Sequence, residues 1–278
     1  MMNQQYNGTE DTKEFYNREG WQVKAGITTD WEMFGRKENS PIRMELHNLH
    51  LERIRSALSL AGEKINLLEC GCGGKPASTL LDLCSKYTGV DFSEKGLEVA
   101  QSKLESESIP YQLELADICQ LPFPEEQFDA VYSSHVLYHI EDSSAQKAAL
   151  KEMLRVTKAG GVVVLILVNP RPLLFPVRLL KRVVADTPII CSIVNRLRQK
   201  PVLPYNPLPL SWMKHQLTPY GSVKIVTHDI PSIYFDQQIS EYSATGTILW
   251  KIVRWLDIKF PEISAYLGNF VQVTIIKD

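Results

Sequence analysis

The stretch LLECGCGGKPAS, Leu67 to Ser78, concentrates residues that do chemistry: an acid, two cysteines one residue apart and three glycines. A thiol metal site needs its cysteines in pairs at set spacings. Cys70 and Cys72 form one C-x-C, but Cys84, Cys119 and Cys191 stand singly, so no metal is expected. The competing chemistry is close approach of a ligand to the backbone. Gly71 and Gly73 carry no Cβ to obstruct it, Cys72 sets a small side chain between them, and Gly74 adds freedom to the turn. Asp91 lies about 20 residues past Gly71, followed by Phe92, where a carboxylate accepts hydrogen bonds from both hydroxyls of a ribose. A glycine turn and an acid at that separation point to a nucleoside-containing cofactor. A dinucleotide would want a third glycine five positions after the first, and N–H donors for its pyrophosphate. Pro76 stands there instead, with no N–H. Glu69 repels phosphate and attracts an amino group or a sulfonium, so electrostatics favour S-adenosyl-L-methionine.

A second constellation is SSHVLYHIED, in which His135 and His139 are four apart and share one face if helical. Histidine packs in walls, contacts substrates, moves protons and ligates metals, and the pattern leaves these roles open. His139, His135 and Tyr138 are the candidates for a base or an orienting group. His47 and His50 read as solvated or half-buried helix residues.

These residues need elements to hold them. Ser40-Pro41 has the form of an N-cap with proline at the first helical position, and Ile42, Leu46, Leu49, Ile54 and Leu58 follow at helical spacing, which predicts a helix ending near Gly62. Ile65 to Glu69 is a short apolar run entering the glycine turn, as a buried parallel strand reads. Ser78 to Tyr87 reads as the next helix, Thr88 to Phe92 as a strand, and Ser93 as the cap of the helix EKGLEVAQSKL. Tyr111 to Leu115, Phe128 to Tyr132 and Val162 to Val168 read as strands, with a helix from Ser144 to Val156. Ser222 to Asp229 and Phe270 to Ile276 read as closing strands around a helix from about Thr245 to Trp255. This alternation predicts an α/β fold: a Rossmann-like, mostly parallel sheet with helices on both faces, an antiparallel closing strand, an N-terminal helical cap and an insertion after strand five.

From Leu67 to Leu167 the sequence resembles the class I S-adenosylmethionine-dependent methyltransferases of the small-molecule type. LLECGCGG matches the first motif of that family and YTGVDFSEKGLEVAQSKL its second. LELADICQLPFPEEQFDAVYSSHVLYHIED matches the adenine-binding and fourth-strand segments, and LRVTKAGGVVVLIL the fifth strand. The resemblance implies that Gly71, Cys72 and Gly73 lie against the amino acid part of the cofactor and that Asp91 binds the ribose. It further implies that Asp117 and Ile118 flank the adenine and that Ser133 and Ser134 line the methionine side. A histidine matching His139 belongs in or near the active-site wall. Lys75 stands where the family has a third glycine. The implied activity is methyl transfer to an oxygen, nitrogen or carbon of a small molecule, free or linked to a lipid or sugar. A nucleotide-cofactor oxidoreductase and a non-catalytic cofactor-binding domain share the fold-level signal and form the alternatives.

Composition restricts partners. A net charge of −2 and the absence of a basic excess argue against nucleic acid as substrate. Ser133-Ser134-His135-Val136 stands where adenine-methylating relatives carry a proline-aromatic motif, and no Pro-Cys pair of the cytosine type occurs. An odd count of scattered cysteines suits a reducing compartment. The start MMNQQYNGTEDTKEF lacks the apolar run of a secretory signal, and a cytoplasmic address is expected. One segment departs from an ordinary crossover. From Pro170 to Trp212, Arg171, Arg178, Lys181, Arg182, Arg196, Arg198 and Lys200 face a single acid, Asp186, and alternate with apolar residues. Either positions 170–200 contact a membrane or lipid-linked substrate, or the insertion is a lid over the core. The expected organisation is a cap and helix over residues 1–62 and a methyltransferase domain over 63–278. Nothing in the sequence sets the oligomeric state.

Overall fold

The computed structural model describes residues 9–21, 23–24, 27–28, 41–171, 203–229 and 244–278. A short helix α1 (Thr9–Phe15) runs into a π-helical turn (Tyr16–Gly20) and a two-stranded ribbon, β1 (Val23–Lys24) and β2 (Ile27–Thr28). Helix α2 (Pro41–Leu58) leads to β3 (Ile65–Cys70), β4 (Cys84–Asp91), α3 (Glu94–Leu104), β5 (Tyr111–Leu115), β6 (Phe128–Ser134), α4 (Ser143–Val156) and β7 (Thr157–Val168). Then come α5 (Leu210–Leu217), β8 (Gly221–Asp229), α6 (Ala244–Lys259), α7 (Pro261–Leu267) and β9 (Phe270–Lys277).

The seven main strands are ordered β5-β4-β3-β6-β7-β9-β8. The first five pair in parallel, and β9 runs antiparallel between β7 and β8. Strand order therefore reverses between β3 and β6, the point beyond which open α/β sheets bind ligands. The strands are apolar on both sides because both sides are covered. Leu67, Tyr87, Ala130, Val162, Val164 and Ile166 pack with Ile54, Ala57 and Leu58 of α2 and Leu104 of α3. On the other face Leu68, Val90, Val131, Val163 and Leu165 meet Ala149, Leu150, Met153 and Leu154 of α4, Met213 and Leu217 of α5, and Ala265 of α7.

Local signals start the helices. The Ser93 hydroxyl accepts the Gly96 amide at 3.0 Å, and the Asp142 carboxylate accepts the amides of Ser144 and Ala145. One expected element is different. Ser78 to Tyr87 is helical only in part: Ser78–Leu83 is a 3₁₀ helix and β4 begins at Cys84, paired with Ile65. Ala77, at its N-cap, has no side chain with which to cap a helix. Only six residues then remain before Cys84 must enter the sheet.

Candidate active site

The turn after β3 folds across to β4, with the amides of Gly71 and Cys72 donating to the Val90 carbonyl at 2.7 and 3.1 Å. Gly71 has φ +79°, and a Cβ there would come within 2.3 Å of the Val136 side chain. Only glycine fits this crossing without strain. Beyond the ends of β3, β4, β5 and β6 lies a cavity of about 470 Å³, within the range of ligand pockets.

Two buried acids stand on one side of it. Asp91 accepts the Gly73 amide through Oδ2 at 2.8 Å and the Ser93 amide through Oδ1 at 2.9 Å. Burial raises its pKa to about 6, against the lowering effect of those two bonds. Glu69 accepts the Tyr87 hydroxyl at 2.6 Å and the Ala77 amide through the same Oε2. Burial is again the larger influence and lifts this carboxyl to about 7. A ligand that brings positive charge or hydroxyl donors therefore meets carboxyls that are held in place and ready to ionise. The neighbouring thiols behave otherwise. Desolvation pushes Cys70 and Cys72 far above the ordinary thiol value, with Glu69 adding to the effect, so both stay protonated at neutral pH.

Of the residues singled out from sequence, Glu69, Gly71, Cys72, Asp91, Phe92, Asp117, Ile118, Ser134, His135, Tyr138 and His139 line the cavity. Asp117 holds its own turn by accepting the Cys119 amide at 2.8 Å. Gly73 and Ser133 stand behind the wall. Ser133 ties β6 to β3 by donating to the Cys70 carbonyl at 2.9 Å. Gly73 serves a residue of the cap, since a Cβ there would lie 2.3 Å from the Trp21 ring, and Gly74 and Gly96 complete the seat of that indole. Tyr16 stacks on Trp21 at 5.5 Å, and both rings line the cavity with Thr12. Asn17 anchors the cap by accepting the Ser93 hydroxyl at 2.8 Å.

The loop after β6 carries the histidines. His135 has φ +62°, a left-handed conformation that costs energy outside glycine, while its amide stays in register with the Ile166 carbonyl at 3.0 Å. Its Nδ1 lies 3.0 Å from the Tyr138 hydroxyl, and its ring meets Phe270 edge-on at 4.9 Å. His139 Nδ1 is 2.9 Å from the Pro204 carbonyl. A carbonyl only accepts, so Nδ1 carries the proton and Nε2 is the basic nitrogen of the neutral ring. Residues that sequence reasoning missed hold this loop. The Gln146 side-chain amide faces the carbonyls of Leu137, Ile140 and Asn206 at 2.8–3.0 Å, and the Asn206 amide donates to the Tyr138 carbonyl at 2.7 Å. Their one signal was a polar residue on the apolar face of α4. Lys75 also lines the cavity, in place of a third glycine.

Residues 68–165 match the family model described as a methyltransferase domain. A ubiquinone biosynthesis O-methyltransferase of Pseudomonas putida is 34% identical over 131 residues, 46% of this chain and 54% of that protein. A demethylmenaquinone methyltransferase of Staphylococcus aureus is 35% identical over 130 residues, 45% and 52% of the two chains. The chain thus spans about half the length of these curated relatives. Among solved structures, the N-methyltransferase NodS of Bradyrhizobium japonicum, in complex with S-adenosyl-L-homocysteine, superposes with a TM-score of 0.56 at 15% identity. That alignment covers 96% of this chain and 98% of the other, and shows a shared fold. Over residues 68–165 the chain is thus similar to methyltransferase domains, and its fold is shared with an N-methyltransferase.

Proposed function

We propose that the protein transfers a methyl group from S-adenosyl-L-methionine to an oxygen, nitrogen or carbon atom of a small molecule. The observation that carries this is the grouping of Glu69, Gly71 and Asp91 with His135, Tyr138 and His139 around one cavity of about 470 Å³. The donor set suits the cofactor. Asp91 would accept the ribose hydroxyls, Glu69 would face the cationic end, and Asp117 and Ile118 would flank the base. The buried Trp21 Nε1, which has no acceptor among the described residues, belongs to a residue on the same wall. Bound there, S-adenosyl-L-methionine supplies an activated methyl group, so the work left to the chain is placement of the acceptor and removal of its proton.

Placement is the larger contribution, worth roughly 7–11 kcal/mol when two reactants are held in line, against about 10²–10⁴ in rate from a base. Val136, Ile140 and Phe270 give the acceptor apolar surface, and the Tyr16 and Trp21 rings add to it. His139 takes the acceptor proton at Nε2, since Pro204 fixes the proton already on Nδ1. The His135–Tyr138 pair orients the acceptor. The two curated relatives are named for ubiquinone biosynthesis and demethylmenaquinone, which supports an acceptor with an apolar, lipid-like body. Contact with a membrane through positions 170–200 belongs to the same proposal, and all but 170 and 171 of them lie outside the described residues.

The test has two arms. Titration calorimetry with S-adenosyl-L-homocysteine should give saturable heat, and labelled cofactor should pass its methyl group to quinol or phenol acceptors or to components of a lipid extract. Heat with a nicotinamide cofactor and none with S-adenosyl-L-homocysteine would overturn the proposal, and binding with no turnover on any extract would reduce the protein to a cofactor-binding domain.

A further inference from the structure

Helices α6 and α7 turn an apolar face to solvent. On α6, Ile248, Ile252 and Trp255 are exposed at i, i+4 and i+7, one stripe of a helix, and the exposed Lys251 and Lys259 flank it. Phe260, Ile263 and Tyr266 extend the stripe, with Ile263 64% exposed. Neither helix can roll this surface inward. On the far side of α6, Trp250 and Asp257 are buried, and Arg53 grips Asp257 by its carboxylate at 2.9 Å and its carbonyl at 2.8 Å. Helix α7 is tied down by Asn169, whose amide donates to the carbonyls of Ala265 and Gly268 at 3.1 and 3.0 Å. So large an exposed apolar surface marks an interaction site.

Its position matters. Phe270 pairs with Val168, so the start of β9 lies at the carboxyl end of the parallel strands, and Phe270 is itself part of the cavity wall. The stripe and the cavity share one end of the sheet. Among the described residues no helix is long and apolar enough to cross a membrane.

We propose that the α6–α7 face seats this protein on the surface of an anionic lipid bilayer. Apolar residues interleaved with lysines, and bordered by tryptophan, phenylalanine and tyrosine, suit the headgroup boundary, where aromatic rings gather and lysines meet anionic lipid. A protein partner is the poorer match, because lysine is depleted from such interfaces. The proposal deepens the reading of a lipid-like acceptor and uses residues separate from positions 170–200. An acceptor with an apolar tail would then enter the cavity from the bilayer on which the protein rests.

Co-sedimentation of the full chain with vesicles of phosphatidylcholine, with and without phosphatidylglycerol, tests it. The wild type should sediment with the anionic vesicles at low salt. Ile252→Ser combined with Trp255→Ser should weaken partitioning at least tenfold. Lys251→Gln combined with Lys259→Gln should weaken it about thirtyfold at low salt, and by less at high salt. Affinity for S-adenosyl-L-homocysteine should stay unchanged in both variants, so failure of the cofactor reading and failure of this one are separable. Wild type left in the supernatant, or an Ile252/Trp255 variant that sediments like wild type, would overturn the proposal. So would a wild-type dimer that this variant dissociates in sedimentation velocity, which makes the face a contact between copies. A melting temperature lowered by the same variant also counts against it, because the chain itself would then cover the stripe.

Discussion

On the side of the cavity formed by the glycine turn, the functional groups are held by neighbours in sequence: Asp91 binds the amide of Ser93 two residues on and that of Gly73 eighteen back, and Glu69 binds Ala77 and Tyr87. On the side formed by Val136 to Ile140, the groups are held from far along the chain, by Pro204 and Asn206 at separations of 60 residues or more. The first side is a local device, held within the stretch from Glu69 to Ser93. The second is assembled, and its shape follows from whatever the rest of this chain brings to it. Cofactor binding and acceptor handling should therefore fail separately when residues on the two sides are changed.

The largest separation is expected at His139. His139→Gln keeps a hydrogen-bonding side chain but removes the basic nitrogen, and should lower turnover about 10²–10⁴-fold with little change in S-adenosyl-L-homocysteine affinity. Restored turnover with acceptors of lower pKa would confirm its part in proton removal, and unaltered turnover would take that part away.

Asp91→Ala acts on the other side. The charge-assisted bonds proposed from it to the ribose would be worth about 1.5–3 kcal/mol, and titration should show a loss of roughly tenfold to a hundredfold in affinity. A folded variant with wild-type affinity would remove Asp91 from the site.

Gln146→Leu sharpens the comparison without touching any ligand. It leaves the carbonyls of Leu137, Ile140 and Asn206 without their amide donor, at a cost of about 1–3 kcal/mol in stability. The acceptor KM should rise while cofactor affinity holds. Equal losses in both would show that the two sides are one cooperative unit.

The smallest effect is in pH. Glu69 and Asp91 are raised in the folded protein, to about 7 and about 6, by burial. The native state thus holds these protons more tightly than the unfolded chain does. Their contribution to stability is complete below the ordinary carboxylate range and is lost as pH rises through 6 and then 7. The ligand-free protein should melt at a lower temperature at pH 8 than at pH 5, and Glu69→Gln should flatten that slope. Binding a sulfonium cation favours the ionised carboxylates, so S-adenosyl-L-methionine affinity should strengthen over the same interval. A pH-independent difference between wild type and variant would mean that Glu69 does not titrate there.

The same contrast governs what was legible beforehand. The sheet was readable because a parallel strand covered on both faces is an apolar run, and Leu67, Val131 and Val163 announce it wherever they occur. The Ser78 to Tyr87 helix was misread because apolar spacing there was satisfied equally by a 3₁₀ turn and a strand. What periodicity does not record is the pairing of Cys84 with Ile65, which starts the strand four residues before Thr88. Gly73 was read as a cofactor contact, and the structure also sets the Trp21 ring against it. That role depends on a ring from a separate element.

By itself the sequence determined the glycine turn, the acid at the end of β4, the order of strands and helices and the cap of α3. Each rests on a backbone conformation or a hydrogen bond between residues close in the chain. Only the tertiary structure decided which nitrogen of His139 is basic, how the left-handed His135 backbone is kept in register, where Trp21 lodges and which face of α6 stays exposed. Those outcomes are set by packing between segments that approach one another only in the folded chain, as Pro204 does His139 and Arg53 does Asp257. Residue type alone cannot encode such a pairing, because the same imidazole or carboxylate would take another partner if a different segment lay against it.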